Sequence, residues 1–300
     1  QAGDARPEKG RGWILFFAAA FALATVLANY RLLIPMDEKK AFSCGILLCG
    51  GCLIGWHIPV WLLRKSRKLP GAERPVTDGK PVRKVFWITF GCILAVDLAV
   101  LFLCFYPGIL TPDSFNQIAQ NRTGIYSNHH PFWHTMIIGG CMDLGMTLFR
   151  DINGAVAVYS VFQAACMAAI FAYLMTTLYQ AGVKRGWVIA AAAAYILLPY
   201  HVMYSFSMWK DVLFGGTVAL FLCALFRKLR GIGNQTLNLV WLILGMAGFC
   251  LLRSNGWAAA CVSLVILWIA LGKGQRRMLL ILAGVLAVTF GMKHLLLGWI

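Results

Sequence analysis

Apolar residues run almost unbroken through most of the chain, and short polar stretches divide them. Nine runs approach the roughly 20 helical residues that a bilayer's hydrocarbon core requires: 12–34, 41–63, 85–106, 153–181, 186–205, 211–227, 237–253, 256–272 and 278–299. They are continuous rather than alternating, which excludes a transmembrane β-barrel. The pattern predicts an all-α polytopic membrane protein with about nine transmembrane helices. One further apolar stretch, His134 to Phe149, contains Asp143 and is short for a span.

Charge placement decides what that stretch does. The 64–84 segment, RKSRKLPGAERPVTDGKPVRK, holds eight Lys and Arg, and basic loops stay in the cytoplasm. If 131–149 does not cross, Lys184, Arg185, Arg227, Lys228, Arg230, Lys273, Arg276 and Arg277 are cytoplasmic as well. If it does cross, all of these face outward. The first arrangement obeys the positive-inside rule, so 131–149 is read as an interfacial or re-entrant helix. The N-terminus is then cytoplasmic, and 107–152, 206–211 and the 253–256 turn share the extracytoplasmic side. The organisation that follows is a transmembrane hairpin at 1–63, a basic cytoplasmic linker at 64–84 and a membrane module at 85–300. Because the chain stops inside an apolar run at Ile300, that module is expected to be incomplete at its C-terminal end.

Composition agrees. Hydrophobic residues make up 60% and charged residues 13%, and mean hydropathy is +0.73. The net charge of +16 does not indicate a nucleic-acid partner, because its Lys and Arg sit in short loops beside apolar runs. There they set topology and meet membrane lipids. The ten Cys all fall inside apolar runs, where Cys acts as a small hydrophobe.

The polar chemistry concentrates outside. In Thr111-Pro112-Asp113-Ser114, Thr111 suits an N-cap and Pro112 a first helical position. Asp113 then lies in the first turn, where the helix dipole favours its ionised form. Gln117 and Gln120 follow on the same face, and Gly124 ends the helix. Asp113 reads equally well as a plain capping carboxylate. Asn128-His129-His130-Pro131 starts a second helix. His130 and His134 have an i, i+4 spacing that suits a metal, but no Glu accompanies them as in H-E-x-x-H. No metal ligand set is assigned, although a divalent cation is compatible with the site.

Trp209-Lys210-Asp211 begins a later helix at the outer boundary. Trp209 and Lys210 also suit simple anchoring, whereas a carboxylate at a span's end more often carries function. Arg253, in the turn Arg253-Ser254-Asn255-Gly256, can grip a phosphate or merely sit at the interface. Asp97 and Asp143 are read as structural. Asn121-Arg122-Thr123 is an N-glycosylation sequon that matters only in a eukaryotic secretory host.

These landmarks resemble the GT-C superfamily of integral membrane glycosyltransferases. The chain is similar to bacterial relatives of protein O-mannosyltransferases and of the lipid A aminoarabinose transferase. The resemblance covers about 85–272 and rests on TPDSFNQ with Asp113, HHPFWH with His130-Pro131, WKDVLF with Asp211, and LLRSNG with Arg253. Two features depart from the family: the extra helices over 12–63, and DSF in place of a double-acid motif. The second puts metal dependence in doubt.

The resemblance implies transfer of a sugar from a polyprenyl-phosphate donor to an extracytoplasmic glycan, lipid or protein acceptor. It implies Asp113 as general base, with Asp211 as the second catalytic carboxylate. Lys210 and Arg253 would hold the donor phosphate, and Gln117, His129 and His130 would bind substrate. The expected location is a bacterial plasma membrane. The rivals are a transporter or flippase of lipid-linked sugars and a non-enzymatic envelope-assembly protein.

Overall fold

The computed structural model describes residues 80–127, 129–253 and 255–297, together with Lys40, Cys44, Gly45 and Gly50. The chain forms two compact units, Gln1–Glu73 and Arg74–Ile300. The run at 12–34 and nearly all of 41–63 lie outside the described residues.

The second unit is almost entirely helical. In order it contains α1 (Lys80–Cys104), β1 (Ile109–Leu110), α2 (Pro112–Thr123), α3 (Phe132–Phe149), α4 (Ile152–Gln180) and α5 (Arg185–Leu197). Then come α6 (Pro199–Ser205), β2 (Ser207–Met208), α7 (Lys210–Arg230), α8 (Gln235–Leu251), α9 (Gly256–Leu271), a 3₁₀ turn and α10 (Arg276–Leu297). Among the described residues, α1, α4 and α7 are each long and apolar enough to cross a membrane. The α5–α6 pair makes a fourth if counted as one broken span. At 17 and 16 residues, α8 and α9 are apolar but shorter. α3 has 18 residues and is not among the candidate spans.

The run at 186–205 is therefore not one straight helix. It bends by 67° between Leu197 and Pro199. Pro199 has no N–H to continue the ladder, and its ring pushes Leu198 into an extended conformation, φ −81 and ψ 111. The bend turns α6 back toward the start of α7.

The core lies where α7 and α8 pack. Phe221, Leu225, Leu242, Met246 and Phe249 are buried there with Leu279 and Leu282 of α10. Gly245 sets the approach of the two backbones, since a Cβ there would lie 2.7 Å from the Phe221 amide nitrogen. Small residues at helix contacts are how apolar helices gain van der Waals packing. A second cluster joins α3 to α4 through Ile138, Met142, Ala155 and Tyr159.

Candidate functional site

A two-residue parallel bridge builds the site. Ile109 pairs with Ser207 and Leu110 with Met208. Immediately after β1, Thr111 caps α2. Its hydroxyl accepts from the Ser114 amide at 3.3 Å, and the Ser114 hydroxyl accepts from the Thr111 amide at 2.9 Å. That reciprocal cap satisfies two amides the helix start would leave open. The Ser114 hydroxyl also donates to the Met208 carbonyl at 2.5 Å, which ties the start of α2 to the start of α7.

The tie brings two charges together. Lys210 Nζ lies 2.6 Å from Asp113 Oδ2. Its hydrogen bond holds the Asp113 carboxyl below the usual carboxylate range, against a smaller effect of burial. A second ion pair follows at the next residue: Arg253 Nη1 lies 3.2 Å from Asp211 Oδ1. The Arg253 guanidinium also sits 5.4 Å from the centre of the Phe214 ring. The charges thus alternate as Asp113, Lys210, Asp211 and Arg253. All four side chains keep some exposure, from 16% at Lys210 to 49% at Arg253.

Beside them opens a cavity of about 310 Å³. Asp211 lines it, with Trp209, Tyr200, His201 and Tyr204. Tyr204 stacks on Trp209 with ring centres 5.6 Å apart, and Tyr200 lies 4.4 Å from Tyr204. Three of these aromatic groups come from α6, so the Pro199 bend positions them. Asp113, Lys210, Arg253, Gln117, His129 and His130 do not line this cavity.

His129 and His130 lie near Asp113. One donor atom from each of the three falls within 4.8 Å of the others. His129 is exposed and His130 is buried. Burial, then the Lys210 charge, holds the His130 imidazole below its usual range. This trio, not His130 with His134, has the geometry for a cation, although Lys210 already neutralises the carboxylate. His134 has both ring nitrogens engaged elsewhere.

Gln117 also differs from the sequence reading. It does not share an open face with Asp113. It is fully buried, and its amide nitrogen lies 3.0 Å from both His134 Nδ1 and the Thr135 hydroxyl. On the other side of the ring, His134 Nε2 lies 2.8 Å from the Tyr159 hydroxyl. Tyr159 donates to Gln163 Oε1 at 2.8 Å. Gln163 Nε2 donates to the carbonyls of Tyr204, Ser205 and Ser207.

These directions assign the tautomer. Gln163 Oε1 can only accept, so Tyr159 donates to it and accepts from His134 Nε2–H. His134 Nδ1 is then bare and accepts from Gln117. Burial keeps the ring neutral, with its pKa pushed down to about 3. The network fastens α2, α3 and α4 to the strand that leads into Lys210 and Asp211. Tyr159 and Gln163 are therefore positioning residues that the sequence reading missed, and His134, considered there as a metal partner of His130, is a third. The available signal was Gln163, an amide in the middle of an apolar run, where a polar group needs a partner.

Of the remaining polar landmarks, Asp97 is buried within α1 and Asp143 is exposed on α3. Asn121 is half-buried on α2 and donates to the Thr135 carbonyl at 2.5 Å, so the sequon's amide is engaged inside the fold.

No curated protein and no solved structure matches this chain. Residues 117–296 do match a family, and the match takes in the two His, Lys210, Asp211 and Arg253 while Asp113 precedes it. The chain belongs to that family, a family of unknown function (DUF6020).

Proposed function

We propose that the chain is a polytopic membrane glycosyltransferase of GT-C type. It moves a sugar from a polyprenyl-phosphate donor to an acceptor hydroxyl on a glycan, lipid or protein. The observation that carries this reading is the row of alternating charges, Asp113, Lys210, Asp211 and Arg253, beside an aromatic-lined cavity. About nine spans cross a bacterial plasma membrane, with the basic helix ends on its cytoplasmic side and this site on its extracytoplasmic side. The length of α7 supports the sidedness. Its 21 residues, about 30 Å, separate Lys210 and Asp211 from Arg227, Lys228 and Arg230 at the other end.

Each residue has a chemical task. The sugar lies in the cavity against Trp209 and Tyr204, with Asp211 accepting from its hydroxyls. The donor phosphate lies at Arg253 and Lys210, where fixed positive charge meets the charge that grows on the leaving group. The acceptor oxygen attacks the anomeric carbon, and the carbon–oxygen bond to the phosphate breaks. The acceptor's proton passes to Asp113, and polyprenyl phosphate departs as the anion. Asp113 is a weak base while Lys210 holds it. Transfer of Lys210 to the donor phosphate frees the carboxylate, so donor binding itself activates the base.

One observation favours a second reading, lipid-linked-sugar transport. The α5–α6 helix is broken, as helices at transport sites often are. The four charges of the site, however, gather at helix ends rather than midway along them, unlike the buried Asp97. The test is to incubate purified protein in vesicles with a panel of polyprenyl-phosphate sugars and an acceptor mixture. Glycosylated acceptor together with free polyprenyl phosphate supports transfer. Movement of intact donor between leaflets without cleavage supports transport and overturns the enzyme reading.

A further inference from the structure

At the opposite end of α7, three basic residues close the helix, and one of them turns inward. Arg227 is 7% exposed. Its Nε donates to Asn238 Oδ1 at 3.0 Å and its Nη1 to the Thr177 hydroxyl at 3.1 Å. The guanidinium lies 4.8 Å over the Tyr173 ring. Asn238 is itself held by the Ile232 carbonyl, so the arginine is fixed in place.

Every one of these partners is neutral. Among the described residues, the ion pairs are Lys210–Asp113 and Arg253–Asp211, both at the far end of the helix. A buried cation without a counter-charge is costly and is normally paired. The third nitrogen, Nη2, takes part in neither hydrogen bond. A Cβ at Gly233 would lie 2.9 Å from it, so only glycine lets the chain pass this close to the guanidinium.

Arg227 lines a cavity of about 470 Å³ between α1, α4, α7 and α8. The exposed Arg83, in the first turn of α1, lines the same cavity. The remaining walls are largely apolar, with Phe86, Ile170 and Leu220 running along the helices away from the two arginines. The shape combines one doubly cationic end with a hydrocarbon flank.

We propose that this cavity binds an anionic phospholipid at the basic, inner end of the helices. Arg227 Nη2 and Arg83 hold its phosphate, and one acyl chain lies along Ile170 and Leu220. Guanidinium suits the task because it presents paired donors to phosphate oxygens. Basic pockets between membrane helices are a recurrent site for anionic head groups. The site is separate from the transfer chemistry and does not depend on it.

The experiment is native mass spectrometry of the full chain, released from nanodiscs of phosphatidylglycerol mixed with phosphatidylcholine of the same chains. The wild type retains phosphatidylglycerol in preference. Arg83→Gln, an exposed change that spares the fold, weakens retention roughly fivefold, the effect of one surface arginine on an anionic head group. Arg227→Gln weakens it at least as much. Equal retention of both lipids, or unchanged retention in Arg83→Gln and Arg227→Gln, overturns the proposal. Inorganic phosphate or glycerol phosphate is added in a separate arm. Displacement of the lipid at equimolar concentration also overturns it, assigning the cavity to a soluble phosphate.

Discussion

Lys210 Nζ meets Asp113 Oδ2 at 2.6 Å across 97 residues of chain. The contact depends on the β1–β2 bridge, which sets Ser114 against Met208. Lys210 lowers the carboxyl's pKa from its usual value of 3.8. A depressed carboxylate contributes its stabilisation above its unfolded pKa and loses it as pH falls through the folded value. In transfer assays, the acid limb of kcat/KM should therefore lie below that of an ordinary carboxylate. Lys210→Met removes the main lowering cause, so residual activity should show an acid limb moved to higher pH. A limb that stays in place would separate Asp113 from the titration.

The second ion pair should behave differently. Arg253 is half-exposed and Asp211 is partly so, so breaking the pair should change folding stability little. Its effect should appear in the reaction. Arg253→Ala is expected to raise the KM for donor and to lower kcat by roughly 10²-fold, as for loss of one group that stabilises transition-state charge. Loss of melting temperature with normal kinetics would make Arg253 a structural residue instead.

Tyr159→Phe tests the buried network. The change keeps the ring but leaves His134 Nε2–H and Gln163 Oε1 without their shared partner. Stranding buried polar groups costs about 1–3 kcal/mol. The variant should melt earlier in detergent and lose activity through displacement of the 204–207 segment, which joins α6 to β2. A melting temperature equal to wild type would mean that the network does not tie these elements together.

Gly245→Val tests how closely α7 and α8 pack. The added side chain meets the Phe221 backbone, which has no rotamer to yield. Overpacking of this kind costs about 1–3 kcal/mol. Gly91, with open space around it, is the control: Gly91→Ala should leave thermal stability near that of wild type.

Much of this arrangement was legible in the sequence because local chemistry dictates it. Thr111-Pro112 marks a helix start by its cap and Trp209-Lys210 by its place at the edge of an apolar run, and both fall where the sequence places them. Pro131 differs by one residue: the sequence suggests it as the first helical position of α3, and it stands at the N-cap just before Phe132. The remaining differences depend on contacts distant in the chain. Strands of two residues leave no periodicity, so nothing local pairs Ile109 with Ser207. Gln117 shares its helical row with Asp113, yet His134, 17 residues on, draws it inward. The break at Pro199 was the exception. The proline stood in view inside an apolar run, and the length of that run masked it.

The central claim is that Asp113 accepts the acceptor's proton. Its most direct test is transfer from a polyprenyl-phosphate sugar by Asp113→Asn in vesicles, with protein amount and melting temperature matched to wild type. Asparagine keeps the size and hydrogen bonding but lacks the carboxylate's proton affinity. The account predicts a fall of about 10²- to 10⁴-fold in kcat with donor binding largely retained. Transfer at the wild-type rate by a well-folded Asp113→Asn protein would contradict it.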